Sequence, residues 1–192
     1  MHPLILASAS PQRRKLLEGI GVPFTVVPST IDESVCKETD PMVRAQILAR
    51  LKAEDIAERH GNAWIIGCDT LVVSPRGRLL EKPRDAAEAR AMLMEQSGST
   101  SLVHSALTLL GPTGTEHEGI STSRVRFQSL TPERLDWWIG TGLWEDRSGS
   151  FQIEGLGQLI IDHLEGDWSG VVGLPVSLLG ELAHAAGMPH FT

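Results

Sequence analysis

The chain has 192 residues, 41% hydrophobic and 21% charged, with 17 Lys and Arg against 24 Asp and Glu for a formal net charge of −7. That length suits a single domain (1–192) with one well-packed core and room for two lobes, and the acidic balance argues against nucleic-acid or acidic-membrane binding, which rest on a basic footprint. No run approaches the roughly twenty apolar residues that cross a bilayer, no secretory signal is evident, and Cys36 and Cys68 form neither a disulfide framework nor a zinc pattern, so the expected compartment is the cytoplasm.

In chain order, residues 4–7 (Leu-Ile-Leu-Ala) are an apolar run of strand length. Ser10 then stands where a helix N-cap belongs, and Pro11 takes the first helical position, where its missing N–H costs nothing. The free N–H groups and positive dipole end of such a helix attract anions. Ser8 and Ser10 can add hydroxyls there, and Arg13 a planar charged fork suited to phosphate oxygens. Arg13, Arg14 and Lys15 crowd the end of the dipole that disfavours cations, so an anion is the expected compensation. The plain alternative is a common Ser-Pro helix start with solvated cations.

A short strand at 24–27 leads to an acidic loop with Asp32 and Glu33. Asp40-Pro41 opens a second helix, in which Val43, Ile47 and Leu51 recur at helical spacing, and Gly61 is its terminator. Residues 64–66 form a buried strand ending at Gly67-Cys68-Asp69, continued by 71–73. After a turn at 75–77, Asp85 and Glu88 make an acidic capping box for a helix toward Gly98. Two longer strands, 101–110 and 120–127, are joined through the turn at 111–114. Thr131-Pro132 opens a fourth helix bearing Trp137 and Trp138, whose adjacency points them to different faces. A glycine-rich stretch from 140 to 173 precedes a last helix, from Pro175 to near Gly187. The alternation predicts a mixed α/β chain, one sheet with flanking helices.

Two groups of side chains carry chemistry. Asp69 follows a buried strand, so its carboxylate emerges at a strand end, where ligand sites of α/β proteins collect. With Glu33 it could hold a hard divalent cation through oxygen ligands, or take a proton from water. A capped turn and a solvated glutamate are the alternative. Lys52, beside Leu51, and Lys82, fixed by the following Pro83, place ammonium groups on stiff elements suited to a polyphosphate. Each alone also fits a surface lysine. His104, in a strand, reads as a packed histidine, with no second His or Cys at ligand spacing.

Set in order, Leu6-Ala-Ser-Ala-Ser-Pro-Gln-Arg-Arg-Lys-Leu-Leu17, Asp32-Glu33-Ser34, Leu51-Lys-Ala53, Ile66-Gly-Cys-Asp-Thr-Leu-Val-Val73 and Leu80-Glu-Lys-Pro83 resemble successive motifs of the Maf family. Ser148-Gly-Ser-Phe-Gln-Ile-Glu-Gly155 and Gly166-Asp-Trp-Ser-Gly-Val-Val-Gly-Leu-Pro175 resemble its later ones. Each motif alone is weak, while their order over nearly the whole chain is specific. The resemblance implies nucleoside triphosphate pyrophosphatase activity, yielding a nucleoside monophosphate and pyrophosphate with Mg²⁺ or Mn²⁺. It also implies an elongated, mixed twisted sheet with two lobes around a cleft, similar to inosine triphosphate pyrophosphatases. Asp69 matches the catalytic proton acceptor, and Ser8, Ser10, Arg13, Lys52 and Lys82 are the expected phosphate contacts. Glu33 and Asp69 are the expected metal ligands. A homodimer is usual in the family, and the resemblance also implies a house-cleaning role in nucleotide metabolism.

The motifs depart from the family at the base. Relatives acting on dTTP and UTP carry Arg after Ser-Pro, Asp-Thr in the central motif and Gln near residue 154. Those acting on 7-methyl-GTP resemble one another in an aromatic, Asp-Gln and Ser-Phe-x-x-Glu-Gly. Here Gln12, Thr70 and Glu154 match neither set, and the base preference stays open between them. An ionised Glu154 accepts hydrogen bonds but cannot donate them, which suits the N–H edge of a methylated guanine better than the imide of uracil or thymine. Gln12 removes a possible stacking ring. A nucleotide-binding regulator of septum formation with little catalysis is the alternative of another class.

Overall fold

The computed structural model describes residues 2–189 and Phe191. Its strands are β1 (Leu4–Leu6), β2 (Thr25–Val26), β3 (Trp64–Val73), β4 (Leu79–Leu80), β5 (Thr100–Leu110), β6 (Glu116–Phe127) and β7 (Ile161–Glu165). Its helices are α1 (Pro11–Ile20), α2 (Pro41–Ala57), α3 (Ala86–Gln96), α4 (Pro132–Gly140), α5 (Trp168–Val172) and α6 (Val176–Ala185). The strands form one mixed sheet in the order β2-β1-β3-β5-β6-β7, with β4 paired to β3. The expected α/β class with flanking helices is what the chain adopts. Strand β1 runs parallel to β2 and β3, with Leu6 opposite Val26 and Ile66, while β4 on β3 and β7 on β6 are antiparallel.

The chain divides into two compact units. The first comprises the chain up to Thr70, Ser105–Ser121 and the stretch from Ser169 onward. Strand alternation sorts its core into two layers. Leu4, Leu6, Ile66 and Cys68 face Leu17 of α1 and Leu179 and Ala183 of α6. Ile5, Ala7 and Ile65 face Ala53 and Ile56 of α2.

Helix α2 departs from its sequence reading. Val43 is 47% exposed, and the buried residues are Ala45, Leu48, Ala49, Lys52, Ala53 and Ile56. The large apolar residues suggested one stripe, but close approach to the sheet selects the alanines. A Cβ on Gly67 would lie 2.1 Å from the Ala49 carbonyl oxygen and 2.8 Å from Ala53 Cβ. A small side chain meets a residue with none, and the helix axis comes in close.

The second unit comprises Leu71–His104 and Thr122–Trp168. Asp85 caps α3 by accepting from the Glu88 N–H, while the Glu88 carboxylate accepts from the Arg84 N–H rather than closing the box on Asp85. Phe127 and Phe151 pack edge to face at 5.0 Å. Trp138 is fully buried and Trp137 is 39% exposed, the division their adjacency predicts. His104 is buried, with Nδ1 2.9 Å from Thr122 Oγ1. No helix among the described residues is long and apolar enough to cross a membrane.

Candidate active site

Strand register creates the site. Strand β1 stops opposite Ile66, whereas β3 runs on to Val73, so Asp69 and Thr70 lie beyond the carboxyl end of β1. Ends of parallel strands are where backbone and side chains are free to meet a ligand. Successive side chains of β3 point to opposite faces, and each face carries one polar cluster.

On the face covered by α2, Lys52 Nζ lies 2.5 Å from Asp69 Oδ1 and 2.8 Å from Glu33 Oε1. The lysine and aspartate side chains are 10% and 7% exposed, while that of Glu33 is 56% exposed. Asp69 Oδ2 is buried and has no hydrogen-bond partner. The close approach at Gly67 sets this geometry: Lys52 precedes Ala53 on the helix, and Asp69 follows Gly67 by two residues on the same strand face. Lys52 therefore sits inside the buried face, where an ammonium persists only when paired. Two of its three donors are committed to the carboxylates, leaving one.

Helix α2 also holds the acidic loop. Asp55 Oδ2 accepts from the Thr30 N–H at 2.9 Å. Asp32 caps the single turn Glu33–Val35 by accepting from the Ser34 N–H at 2.9 Å. These hydrogen bonds hold both acids ionised to lower pH: those from Ser34 for Asp32, and the Thr30 N–H foremost for Asp55.

On the other face of β3, the first-helix cluster forms as the sequence suggests, but its groups bind one another. The Ser10 hydroxyl caps α1 by accepting from the Arg13 N–H at 3.4 Å, and donates to Gln12 Oε1 at 3.1 Å. Ser8 Oγ accepts from the Ser10 N–H and from Arg13 Nη1, both at 3.2 Å. Arg13 Nε donates to the Gly173 carbonyl at 2.8 Å, and Nη2 to Thr70 Oγ1 at 3.3 Å. Arg13 thus ties α1 to β3 and to the turn before α6, with two of its five N–H donors left over.

Gly173 was not visible as a site residue. Its carbonyl also accepts from Cys68 Sγ at 3.0 Å, and its φ of +133° is a backbone state that glycine alone adopts readily. Burial pushes the Cys68 thiol up, so this cysteine packs and donates rather than reacts. Ser105, equally silent in sequence, lies 2.8 Å from Thr70 Oγ1 and donates to the Gly170 carbonyl at 2.6 Å. A hydroxyl on a buried strand has no periodic signal. The glycines of residues 166–173 were the only hint.

The structure thus brings Ser8, Ser10, Gln12, Arg13 and Thr70 into one cluster and Glu33, Lys52 and Asp69 into another. Lys82 and Glu154 belong to the second unit. The Lys82 side chain is 65% exposed, with Nζ 4.0 Å from Asp146. Glu154 is half-buried, and its carbonyl accepts from Gln152 Nε2 at 3.1 Å.

The donor set suits a magnesium-like cation. Mg²⁺ is commonly held by one or two carboxylates, with waters and substrate phosphates completing its shell. Asp69 offers an unpartnered oxygen and Glu33 an exposed carboxylate. Among the described residues no group of three or more His, Cys, Asp or Glu could hold a metal by itself. The chemistry fits a cation that arrives with a polyphosphate.

A carboxylate on β3 paired with a buried lysine, and on the other face a helix start of the kind that can bind anions, are chemistry suited to a polyphosphate in an α/β protein. The family model of the Maf-like proteins matches residues 3–186, and the chain belongs to that family. A dTTP/UTP pyrophosphatase of Moorella thermoacetica is 41% identical over 192 residues, covering 98% of this chain and 97% of that protein. One of Halalkalibacterium halodurans is 43% identical over 182 residues, with 92% of each covered. A solved nucleoside-triphosphatase (dITP/XTP pyrophosphatase) from Mycobacterium abscessus is 18% identical, covers 67% of this chain and 75% of its own, and has a TM-score of 0.43.

Proposed function

We propose that the protein is a nucleoside triphosphate pyrophosphatase that cleaves the α–β phosphoanhydride of dTTP and UTP to the nucleoside monophosphate and pyrophosphate. The observation that carries the chemistry is the buried Lys52–Asp69 pair, with Asp69 Oδ2 left without a partner. Lys52 fixes Oδ1, so Oδ2 is the oxygen oriented to accept a proton from water. As that proton leaves, the water oxygen bonds to a phosphoryl phosphorus of the anhydride. The bridging P–O bond breaks, and its electron pair leaves with the departing phosphate group.

The remaining donors of Lys52 and Arg13 and the N-terminus of α1 would face charge that grows on the phosphoryl oxygens. A divalent cation, Mg²⁺ or Mn²⁺, held partly by Glu33, would supply Lewis-acid polarisation and charge neutralisation, which leaves Asp69 Oδ2 to the proton. The dTTP/UTP preference is supported by the names of the relatives and by Thr70, which Arg13 holds in place. Glu154 favours a second reading, 7-methyl-GTP, because a carboxylate accepts from a guanine N–H edge.

The test is purified protein with Mg²⁺ and a panel of dTTP, UTP, CTP, GTP and 7-methyl-GTP, with monophosphate and pyrophosphate measured. Highest kcat/KM on dTTP and UTP is the expected result. A preference for 7-methyl-GTP selects the second reading. Binding without turnover across the panel would overturn the enzyme reading in favour of a regulator.

A further inference from the structure

We infer that Gln96 is a positioning residue for base selection, clamping the left-handed turn at Gly149-Ser150 that carries the chain to Glu154; the inference rests on Glu154 reading the base. Gln96, at the end of α3, is fully buried, and so is Ser101. A glutamine in a core is costly unless its amide is satisfied on both sides. Here Nε2 donates to the Gly149 carbonyl at 2.7 Å and to the Met92 carbonyl at 3.1 Å, while Oε1 accepts from Ser101 Oγ at 3.1 Å. The only one of these bonds that leaves the α3–β5 corner is the shortest, the one to Gly149.

The clamped turn is strained. Gly149 has φ +71° and Ser150 φ +63°, the latter a non-glycine in the left-handed region. Such a conformation persists only where its surroundings over-determine it. Beyond Gln96, three contacts do so. Trp138 Nε1 donates to the Ser150 carbonyl at 2.9 Å. Ser150 Oγ donates to Met92 Sδ at 3.2 Å. The Gly149 N–H donates to the Glu81 carbonyl at 3.3 Å, which joins the turn to the segment bearing Lys82.

Beyond the turn the chain is anchored by alternate residues. Phe151 packs on Phe127 and Ile153 is buried, while Gln152 and Glu154 are only half-buried. The register of that alternation, and so the direction of Glu154, is set by where the turn ends. Releasing the Gly149 carbonyl frees the strained pair to relax and lets the register of residues 151–154 drift. Gln96 lies well away in sequence from every motif assigned to the reaction, and its role is legible only from its buried bonds.

The experiment compares Gln96→Met, which nearly keeps side-chain volume but removes the donor, and Trp138→Phe, which removes the indole donor along with part of the ring, with Glu154→Gln. The readout is kcat and KM across the five triphosphates with Mg²⁺. A core variant, Val103→Ala, controls for destabilisation. Gln96→Met is expected to raise KM for the preferred triphosphate with little change in kcat. It should narrow discrimination between preferred and poorest base by about tenfold, the scale of one buried hydrogen bond. Trp138→Phe should act in the same direction, more weakly, and it answers the question alone if Gln96→Met does not fold. Val103→Ala should leave discrimination intact.

Discrimination unchanged in the clamp variants but altered by Glu154→Gln overturns the inference while Glu154 stands. Altered by the clamp variants but not by Glu154→Gln, it overturns the reading of Glu154 and with it the inference that Gln96 acts through that residue. Unchanged in all three, it overturns both. An equal loss in Val103→Ala also overturns the inference, since general softening then explains the effect.

Discussion

Lys52 Nζ joins Asp69 Oδ1 and Glu33 Oε1, so Oδ2 is the oxygen left to the proton transfer proposed for Asp69. Asp69→Asn keeps the shape but loses the proposed proton acceptor, and pyrophosphate release should drop by roughly a hundredfold or more. Nucleotide binding, followed by calorimetry, should survive; near wild-type turnover would remove Asp69 from the mechanism. Lys52→Met leaves a buried carboxylate unpaired and should cost about 3–5 kcal/mol in urea unfolding. The double variant with Asp69→Asn should cost less than Lys52→Met alone, because the stranded charge is then gone. An additive double variant would show that the two side chains do not act as a pair. Asp69 was legible as an acid after an apolar run, but the strand does not end there: β3 continues to Val73, and the end Asp69 lies beyond is that of β1. The burial of Lys52 was not legible: its partner lies 17 residues away in sequence.

Helix α2 is the element that assembles the site, and two features fix its position. Asp40 caps it by accepting from the Met42 and Val43 N–H groups, at 2.9 and 3.0 Å. The cap was readable from Asp-Pro, and Asp40→Ala should cost about 1 kcal/mol in thermal or urea unfolding. Gly67 decides how near the helix comes. Gly67→Ala places a methyl group against the Ala49 carbonyl, which is backbone and cannot rotate away. The variant should lose about 1–3 kcal/mol of stability and also lose activity, as Lys52 withdraws from Asp69. Wild-type activity in a folded Gly67→Ala protein would refute that link. The sequence showed α2 and its cap, but mistook its buried face, because alanines register poorly in a count of large apolar residues.

Over the whole molecule, several carboxylates titrate low because hydrogen bonds favour their charged forms: Asp32 through Ser34, Asp55 through Thr30, Glu88 through Arg84 and Glu133 through Thr131. A lowered folded value means that the unfolded chain binds protons first on acidification. Their contribution is therefore complete above the ordinary values of 3.8 and 4.5 and is lost as pH falls through the folded ones. Denaturant titrations from pH 7 to 3 should show a flat plateau and then a decline, shallower in Asp55→Asn/Glu88→Gln; an identical acid limb would remove these two groups as its source. By itself the sequence determined the alternation of strands and helices, the helix caps, the candidate carboxylate Asp69 and the membership of the family, all of which depend on neighbouring residues or on motif order. Tertiary structure alone decided which face of α2 is buried, that Arg13 spends its fork on Ser8, Thr70 and Gly173, and that Gln96 reaches Gly149. Those facts depend on how closely two backbones approach and which carbonyls face inward, and no periodicity in a single chain encodes either.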